Sequence, residues 1–406
     1  MNKKKIINDP VYGFINIFDE IIFDLIEHPY FQRLRRIKQL GLTHFVYPGA
    51  MHTRFQHSLG ALHLIQSSID IIRSKGHEIT EKEALAAKIA ILLHDIGHGP
   101  LSHTLEDLWS KEISHEKFSL HFMNELNKEF KGELSLAIQI FKNKYPKKFL
   151  HQLVSSQLDM DRLDYLRRDS FYTGVSEGVI GSDRIIKMLN VHNDNLVIEA
   201  KGIHSIEKFL IARWIMYWQV YFHKTVISAD QLIGSTLRRA KDLIMQGRDI
   251  HCTPSLEYFL KEKYIQDDML NILNNFSKLA DNDLAASLKT WTDSDDKVLS
   301  LLSKNMLNRK LFKIDLQNEP FDKKHIETIK ETIKSEYSLD DEQVDYLVFS
   351  DYISNKAYSA KNENIQILFN NKEAIDITEA SDMLNLSILS KTVRKYFLSY
   401  PKQNII

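Results

Sequence analysis

The sequence is poor in the residues that cross-link or interrupt a polypeptide chain. Its 406 residues include one cysteine, Cys252, together with 14 glycines and 8 prolines. One cysteine excludes an internal disulfide, and the scarcity of glycine and proline leaves long segments free to be helical. We therefore expect a mainly α fold.

Long apolar runs are also missing from the chain. No uninterrupted apolar stretch approaches the roughly 18 residues needed to cross a membrane. The basic N-terminus, Met1–Lys5, leads into Asn-Asp-Pro rather than into the apolar core of a signal peptide. We expect a soluble, cytoplasmic protein with no membrane partner.

Neither sign of charge is in excess. Lysine and arginine number 53 against 54 aspartates and glutamates, which gives a net charge of -1 and an isoelectric point near 7.0. Without a basic excess, nucleic acid is not an expected partner. Histidine, in contrast, is plentiful at 17 residues, and several histidines cluster between positions 44 and 121.

Helical spacing fills most of the first 308 residues, and strand-like segments follow. The spacing predicts, among others, helices over 15–27, 30–40, 57–74, 81–94, 147–168 and 204–245. Strands are predicted over 311–316, 345–349 and 364–369. The predicted layout is a helical catalytic domain over 1–245 with a metal core at about 50–170, a helical bridge over 246–308, and a small α+β C-terminal module over 309–406.

The adjacent pair His94-Asp95 ends the most apolar of these helices, and glycines follow it. His57 lies upstream and Asp161 downstream. Two imidazoles and two carboxylates can enclose one divalent ion, and the mixed set does not distinguish Mn, Mg, Fe, Ni and Zn. Such an ion lowers the pKa of bound water and polarises a phosphoryl oxygen. The first hypothesis is a metal-dependent phosphohydrolase.

Other polar residues around this set suit a phosphate-bearing substrate. His98 and His103 follow the pair closely and fit phosphate binding or proton transfer, although a lone histidine is more often a hydrogen-bonded structural residue. His115 opens a predicted helix, where an anion is favoured, or it is a surface cap residue. Arg54, one turn before His57, can grip a phosphate with two hydrogen bonds.

Five motifs in a fixed order resemble the HD-domain deoxynucleoside triphosphate triphosphohydrolases. The resemblance covers both the bacterial dGTP-type enzymes and the catalytic core of the mammalian sterile-alpha-motif HD-domain enzyme, from about residue 8 to about residue 224. The motifs are Asn8–Gly13, Phe31–Gly41, His52–Ser58, His94–Pro100 and Asp159–Tyr165. The resemblance implies an HD-type helical core and hydrolysis of a dNTP to a deoxynucleoside and inorganic triphosphate.

The resemblance also implies a role for individual residues. The metal ligands are His57, His94, Asp95 and Asp161. The catalytic group is His115, His98, His103 and Glu106. The substrate-binding group is Arg54, Gln39, Leu40, Arg162, Tyr165, Asp169, Arg213, Tyr217 and Tyr221. Within it, Gln39, Leu40 and Asp169 would meet the 3′-hydroxyl, and Tyr165 would exclude a 2′-hydroxyl. Glu106 replaces an aspartate of the mammalian enzyme and Tyr217 replaces a histidine, so phosphate contacts and base preference are left open.

A regulatory nucleotide site is implied in the same way. Its residues are Asn8, Glu27, Gln32, Arg35, Arg184 and Lys201, and its ligand is a guanine nucleotide held between subunits. The site requires a homo-oligomer, with a tetramer favoured over a dimer. From the residues alone, a solvated helix face is the preferred interpretation of the run Gln32–Arg36.

Two alternative functions stay open at this point. One is an HD phosphohydrolase that acts on another nucleotide, such as a monophosphate, a cyclic dinucleotide or an alarmone. The other is a protein that senses nucleotides or binds single-stranded nucleic acid.

Overall fold

The computed structural model describes residues 4–101, 114–265, 267–355, 358, 364–382 and 391–402. Helices dominate it, which confirms the predicted mainly α class. The helices are α1 (Glu20–Glu27), α2 (Pro29–Gln32), α3 (Arg54–Ser74), α4 (Glu81–Leu93), α5 (His115–Glu129), α6 (Ser135–Phe141), α7 (Lys148–Val154), α8 (Met160–Thr173), α9 (Ser182–Met188), α10 (Ile203–Met216), α11 (Lys224–Met245), α12 (Pro254–Leu260), α13 (Met269–Phe276), α14 (Asp281–Trp291), α15 (Lys297–Leu307), α16 (Lys323–Tyr337), α17 (Asp341–Val344) and α18 (Ile377–Ala380).

Strands of the described residues form three small sheets. They are β1 (Lys5–Asp9), β2 (Gly13–Ile17), β3 (Leu189–His192), β4 (Asn195–Glu199), β5 (Lys313–Gln317), β6 (Phe349–Asn355), β7 (Gln366–Leu368), β8 (Ala374–Asp376) and β9 (Val393–Tyr400). The sheets have the strand orders β1-β2, β3-β4-β7-β8 and β5-β9-β6. β7 pairs with β4 in parallel, so a strand beyond residue 309 extends a sheet that begins before residue 200.

The predicted helix over 15–27 is wrong at its start, because residues 15–17 belong to the hairpin β1–β2. Ile15 and Ile17 are buried while Phe14 and Asn16 are exposed, an alternation that suits a strand. Gly13 has φ +77° and makes the turn that lets the chain fold back. Apolar residues at positions 15, 18, 21 and 22 also fit the repeat of a helix, and this hid the two-residue repeat of the strand.

Three other predicted helices are shorter than expected or interrupted. The helix over 30–40 ends as a 3-10 turn at Arg33–Arg36, after which Lys38 pairs with Thr53 as an isolated bridge. The helix over 147–168 breaks at an extended Ser155 and restarts behind the capping residue Asp159. The helix over 204–245 passes through a π-helix at Tyr217–Tyr221 and restarts behind His223. In the last two cases polar residues accept backbone N–H bonds at the new helix start.

The long helix α3 lies against α4 and α8 and so determines where the polar residues meet. α4 is apolar on nearly all sides, with Ala87, Ile91 and Leu93 fully buried, and a capping box between Thr80 and Glu83 closes its start. The middle and N-terminal part of α3, the end of α4 and the first turn of α8 converge in the protein interior.

The second region of the core lies beyond α11. Ile227 of α11 packs with Ile314 of β5 and Phe397 of β9, so one face of the sheet β5-β9-β6 rests on this helix. None of the helices in the described part of the chain has the length and apolar character that crossing a bilayer requires.

Gly60 of α3 lies directly against the side chains of α8. A Cβ atom on Gly60 would lie 1.9 Å from Oδ1 of Asp164 and 2.3 Å from Nη2 of Arg168. Both side chains are fully buried and paired with each other. A residue with any side chain at position 60 would therefore separate the helices or break this ion pair.

We predict that Gly60→Ala lowers the free energy of unfolding by about 3 kcal/mol or more, since it both overpacks the interface and disrupts a buried pair. Urea unfolding followed by circular dichroism measures the change. Gly181→Ala is the matched control, because its nearest new contact is the Cβ of Arg184 at 4.0 Å, and it should cost less than about 1 kcal/mol. Equal stability of the two variants would contradict the packing argument.

Candidate metal centre

Side chains from three helices converge on one buried point. Nε2 of His57 lies 3.1 Å from Oδ1 of Asp161, and Nε2 of His94 lies 3.6 Å from the same oxygen. The ligand atoms of these three residues are all within 4.8 Å of one another. His57 comes from the first turn of α3, His94 from the end of α4 and Asp161 from the start of α8. Chain segments about 100 residues apart thus supply one candidate ligand set.

Asp95 completes the set that the sequence predicts. Its Oδ1 lies 3.4 Å from Nε2 of His94, and its Oδ2 lies 3.8 Å from Nε2 of His57. Arg54 donates to Oδ2 at 2.5 Å, and Nε2 of His98 lies 3.2 Å from Oδ1. Burial opposes the charged form of Asp95, but His98, His94 and Arg54 outweigh it and hold the pKa of Asp95 well below its ordinary value. The carboxylate is therefore ionised and available to a cation.

Both imidazoles have their Nδ1 atoms in use. Nδ1 of His57 lies 2.7 Å from Oδ2 of Asp164, and Nδ1 of His94 lies 2.6 Å from the carbonyl oxygen of Ile91. A carbonyl only accepts, so Nδ1 of His94 carries the hydrogen, and the Asp164 carboxylate favours the same tautomer in His57. The Nε2 lone pairs of both rings then point into the cluster, as in histidines that bind a metal.

The two Nε2 atoms are buried and form no hydrogen bond of good geometry with any described residue. Buried polar nitrogens without such a partner are rare, and they suit a ligand that the four side chains would share. Burial lowers the pKa of His57, but the carboxylates of Asp161 and Asp164 outweigh it and raise the pKa to about 10. Without an ion, Nε2 of His57 therefore carries a proton at pH 7, and a bound metal would displace this proton to use the lone pair. The same carboxylates attract a divalent cation, so this cluster is compatible with a metal centre.

The predicted phosphate-binding residues lie beside the cluster. Asp159 holds the guanidinium of Arg162 by an ion pair and caps α8 by accepting from the backbone N–H of Arg162 at 2.7 Å. Nε of Arg162 and Nε of Arg213 are buried without a hydrogen-bond partner among the described residues. Arg213 also lies with its guanidinium 6.0 Å from the ring of Tyr217. These cations are oriented before any anion binds.

His98 and His115 stack on each other. Their ring centroids are 3.9 Å apart and their planes differ by 15°. Burial and the nearby Arg54 lower the pKa of His98 to about 3, so this ring is neutral at pH 7 and acts as a hydrogen-bonding group. His115 begins α5 behind the capping residue Ser114. The predicted catalytic residues His103 and Glu106 lie outside the described residues.

The residues predicted to bind the sugar form a second cluster. Asp169 is buried, with Oδ1 2.7 Å from Nε2 of His52 and Oδ2 accepting from the hydroxyl of Tyr221 at 2.8 Å. The ring of Tyr221 lies 6.3 Å from that of Tyr165 and 5.3 Å from that of Tyr217. Burial raises the pKa of Tyr165 above its ordinary value, so its hydroxyl stays neutral.

The strand-like turn before α3 brings Gln39 to this cluster. The backbone N–H of Gln39 donates to the carbonyl of His52 at 3.0 Å, and Leu40 follows as a partly buried residue. Oε1 of Gln39 is buried without a hydrogen-bond partner in the described part of the chain. Its side-chain amide is therefore placed to meet a bound polar group.

Sequence reasoning missed the residues that fix the backbone around His94 and Asp95. Arg33 is fully buried and donates to the carbonyl of His98 at 2.9 Å and to that of Ile96 at 2.7 Å. Ser119 of α5 donates to the carbonyl of His94 at 2.6 Å. Arg33 lies in a run of charged residues that reads as a solvated face, so no local pattern distinguished it from its neighbours.

Gly97 explains why a glycine follows the pair so closely. A Cβ on Gly97 would lie 2.2 Å from the carbonyl oxygen of His115 and 2.2 Å from the backbone nitrogen of Ser119. The start of α5 can therefore pack against this turn only if residue 97 has no side chain. The glycine was a visible signal, but its partner helix was not.

The predicted regulatory residues fall into local groups. Gln32 donates to the carbonyl of Ile26 at 2.7 Å and accepts from Nε of Arg35 at 2.8 Å. Glu27 pairs with Lys5 at 2.8 Å. These residues cluster where α1 ends, near the first strand.

The other regulatory residues lie elsewhere on the surface. Arg184 donates to the carbonyl of Lys201 at 3.2 Å, and Asn8 is exposed on β1. Their role in nucleotide binding stays a prediction.

A basic cavity at the start of α11 was not predicted. It has a volume of about 240 Å³, and its polar lining includes Lys224, Thr225, Arg309, Lys313 and Lys402. Lys313 is partly neutralised by Asp315 at 3.2 Å. The cations come from three distant segments, so the sequence order conceals the patch.

Two family models match this chain. Residues 54–169 match the HD domain, and residues 180–252 match the HD associated region. The first match begins at Arg54 and ends at Asp169, and so it contains all four candidate metal ligands.

Solved and curated relatives extend the match over the whole fold. The crystal structure of a phosphohydrolase from Bacteroides thetaiotaomicron aligns with a TM-score of 0.94 at 52% identity and covers 98% of this chain and 100% of that chain. The protein YwfO of Bacillus subtilis is 35% identical over 77% of this chain and 72% of its own length. The deoxynucleoside triphosphate triphosphohydrolase SAMHD1 homolog of Dictyostelium discoideum is 32% identical over 76% of this chain, which spans 59% of that protein.

We predict that Asp161→Ala abolishes binding of one divalent metal ion per chain and reduces phosphohydrolase activity to background, because Asp161 is the carboxylate shared by both imidazoles. Metal content after dialysis and activity in metal-replete buffer measure the two effects. Asp183→Ala, which removes an exposed carboxylate of α9, is the control and should retain both. Near wild-type metal content in Asp161→Ala would refute the assignment.

Proposed function

The chain belongs to the HD-domain phosphohydrolase family, and from this premise we propose that it is a metal-dependent dNTP triphosphohydrolase. The observation that carries the proposal is the convergence of His57, His94 and Asp161, with Asp95 in contact with both imidazoles, beside the partly buried guanidinium of Arg162. A phosphohydrolase needs both parts, because the substrate must be held and its developing charge neutralised. The dNTPase named among the relatives supports the substrate class.

A divalent ion held by these four side chains would supply an electrophile for the α-phosphate and lower the pKa of a water molecule. Water adds to the α-phosphorus and the bond from phosphorus to the 5′-oxygen breaks. The products are a deoxynucleoside and inorganic triphosphate. His115 donates the proton that the departing 5′-oxygen needs, and its stacking on His98 fixes the orientation of its ring.

Arginines and a neutral histidine hold the triphosphate in this proposal. Arg54 is oriented by Asp95 and Arg162 by Asp159, so both guanidinium groups have a defined orientation from which they would bind phosphate oxygens. His98, neutral at pH 7, donates or accepts without adding charge. His103 and Glu106 keep the catalytic roles that the family resemblance implies.

Selection for the deoxyribose rests on the second cluster. His52 and Tyr221 fix both carboxylate oxygens of Asp169, and Gln39 offers an amide oxygen that has no hydrogen-bond partner among the described residues. Tyr165 packs beside them as a partly buried ring that would leave no room for a 2′-hydroxyl. Tyr217, in the position of a family histidine, leaves the preferred base open.

The products distinguish the proposed reaction from its alternatives. We predict that each dNTP yields tripolyphosphate and a deoxynucleoside, and that each rNTP is hydrolysed with a kcat/KM at least ~10-fold lower, because steric exclusion of one added hydroxyl is worth about this much or more. Phosphorus NMR identifies the phosphate product, with Asp161→Ala as the blank. Release of orthophosphate from a monophosphate, or linearisation of a cyclic dinucleotide, would favour another HD phosphohydrolase. Nucleotide or single-strand binding without turnover would favour a sensor.

We also propose that a guanine nucleotide activates the enzyme in a homo-oligomer, a tetramer ahead of a dimer. Gln32 and Arg35 already hydrogen bond to each other, and Arg35 lies with its guanidinium 3.5 Å from the ring of Phe55, so both have a defined orientation at the surface. The basic cavity at the start of α11 offers cations for the phosphates of a nucleotide. A bound nucleotide favours the assembled state only by its greater affinity for that state.

We predict that dGTP increases the rate of dATP hydrolysis and the molar mass in light scattering, and that Arg35→Ala loses this increase while retaining its metal. Arg36→Ala is the control, since Arg36 is exposed in the same 3-10 turn and is not a predicted nucleotide contact. A rate of dATP hydrolysis that is independent of dGTP at constant mass would show that these residues form a solvated face. Loss of stimulation in both variants would point to a general charge effect.

A further inference from the structure

The hairpin β1–β2 presents two different faces through neighbouring residues. Asn8 is exposed on one face, together with Ile6 and Phe14, while the adjacent Asp9 points inward and is buried. Oδ1 of Asp9 accepts from the backbone N–H groups of Val11 at 2.9 Å and Tyr12 at 3.1 Å. Asp9 thereby fixes the hairpin turn with one carboxylate oxygen and leaves the other for a partner.

The second oxygen of Asp9 accepts from Nη1 of Arg168 at 2.8 Å. The other side of the same guanidinium binds Asp164, with Nε 2.9 Å from Oδ2 and Nη2 3.0 Å from Oδ1. Oδ2 of Asp164 is also the oxygen that lies 2.7 Å from Nδ1 of His57. Four buried side chains therefore run without interruption from the hairpin to a candidate metal ligand.

This series of four paired side chains has little freedom to rearrange. Arg168, Asp164 and His57 have no exposed surface, so water cannot replace a lost contact. Gly60 allows Asp164 and Arg168 to approach α3 at distances that any side chain would block. The arginine is held at both ends, and removing Asp9 would leave its guanidinium fixed by Asp164 alone.

Oδ2 of Asp164 interacts with both Arg168 and His57. A change at Asp9, which holds Arg168, can therefore alter the contact between Asp164 and His57. With Asp9 present, the charge of Arg168 is divided between two carboxylates. Without Asp9, Arg168 would interact with Asp164 alone and compete more strongly with His57 for Oδ2. The ring of His57 would then be less firmly oriented and a weaker metal ligand.

We propose that Asp9 is a positioning residue for the metal ligand His57, acting through Arg168 and Asp164, and that the hairpin β1–β2 is in this way a part of the metal centre. The inference rests on the metal site of the proposed function. Since Asn8 and Asp9 are neighbours on one strand, a ligand or partner that moves the outer face of the hairpin also moves the residue that holds Arg168.

The test replaces Asp9 with asparagine in the full chain. Asp9→Asn keeps an oxygen for the turn but replaces the carboxylate charge that pairs with Arg168. The apo protein is titrated calorimetrically with Mn²⁺, Mg²⁺, Fe²⁺, Ni²⁺ and Zn²⁺, and the ion that the wild type binds most tightly is used for every variant. We expect the dissociation constant to rise about tenfold in Asp9→Asn, the lower end of the effect of an outer partner of a metal-binding histidine. Asp9→Glu, which keeps the charge, should recover at least part of the affinity.

Asp296→Asn is the matched control, because Asp296 is as buried as Asp9 and likewise accepts from a backbone N–H while it pairs with an arginine, Arg239, outside the metal centre. Both variants should lower the melting temperature, but only Asp9→Asn should weaken metal binding. Unchanged metal affinity in a folded Asp9→Asn, or equal weakening in both variants, would overturn the inference. If Asp9→Asn does not fold, Asp9→Ser, whose hydroxyl can still accept from the backbone N–H groups of the turn, is compared with Asp296→Asn, and equal metal affinity in these two variants overturns the inference. A wild-type protein that binds none of the five ions would instead overturn the proposed function.

Discussion

The metal centre depends on one constraint, which is that both histidine rings are fixed through Nδ1 before any ion binds. A backbone carbonyl holds His94, and a carboxylate holds His57. Either ring, if free to rotate, would direct an N–H at the cluster and repel a cation. The need to hold the ring of His57 explains the charged residues around it. Asp164 must be buried beside His57, and a buried carboxylate needs a cation, which Arg168 supplies. The absence of a side chain at Gly60 follows from the size of that pair.

The sequence predicted which residues meet in this cluster, but it did not predict the buried charged residues that hold them in position. His57, His94, Asp95 and Asp161 could be named because two imidazoles and two carboxylates in a recognisable motif order indicate one kind of chemistry. The mainly α class followed from periodicity and from few glycines. The supports, Arg33 and Asp164 among them, are charged residues in charged runs. Their burial depends on which distant helix packs over them, and no periodicity within their own segment reports that.

The errors in secondary structure have the same physical origin. Ile15 and Ile17 fit both a strand and a helix, and the pairing with β1 decided between them. Asp159 and His223 fit a helix interior by spacing, but each begins a new helix because its side chain accepts a backbone N–H. Tertiary pairing and capping were the deciding interactions. The breaks matter for function, since the new start at Asp159 puts Asp161 in the first turn of α8 and the π-helix carries Tyr217 and Tyr221.

Arg33 joins the metal centre to the surface that carries the predicted activator residues. Its guanidinium is buried against two carbonyls and lies 4.8 Å from the ring of Phe276, and burial lowers its pKa to about 9. A cation with only neutral partners is costly to bury, so the turn Arg33–Arg36 cannot shift without disturbing the backbone behind Asp95. Gln32, which is partly buried, precedes Arg33 in the chain, and the exposed Arg35 follows it by two residues. A nucleotide that orders this turn would therefore act on the backbone of the metal centre from one side, while the hairpin acts on His57 from the other.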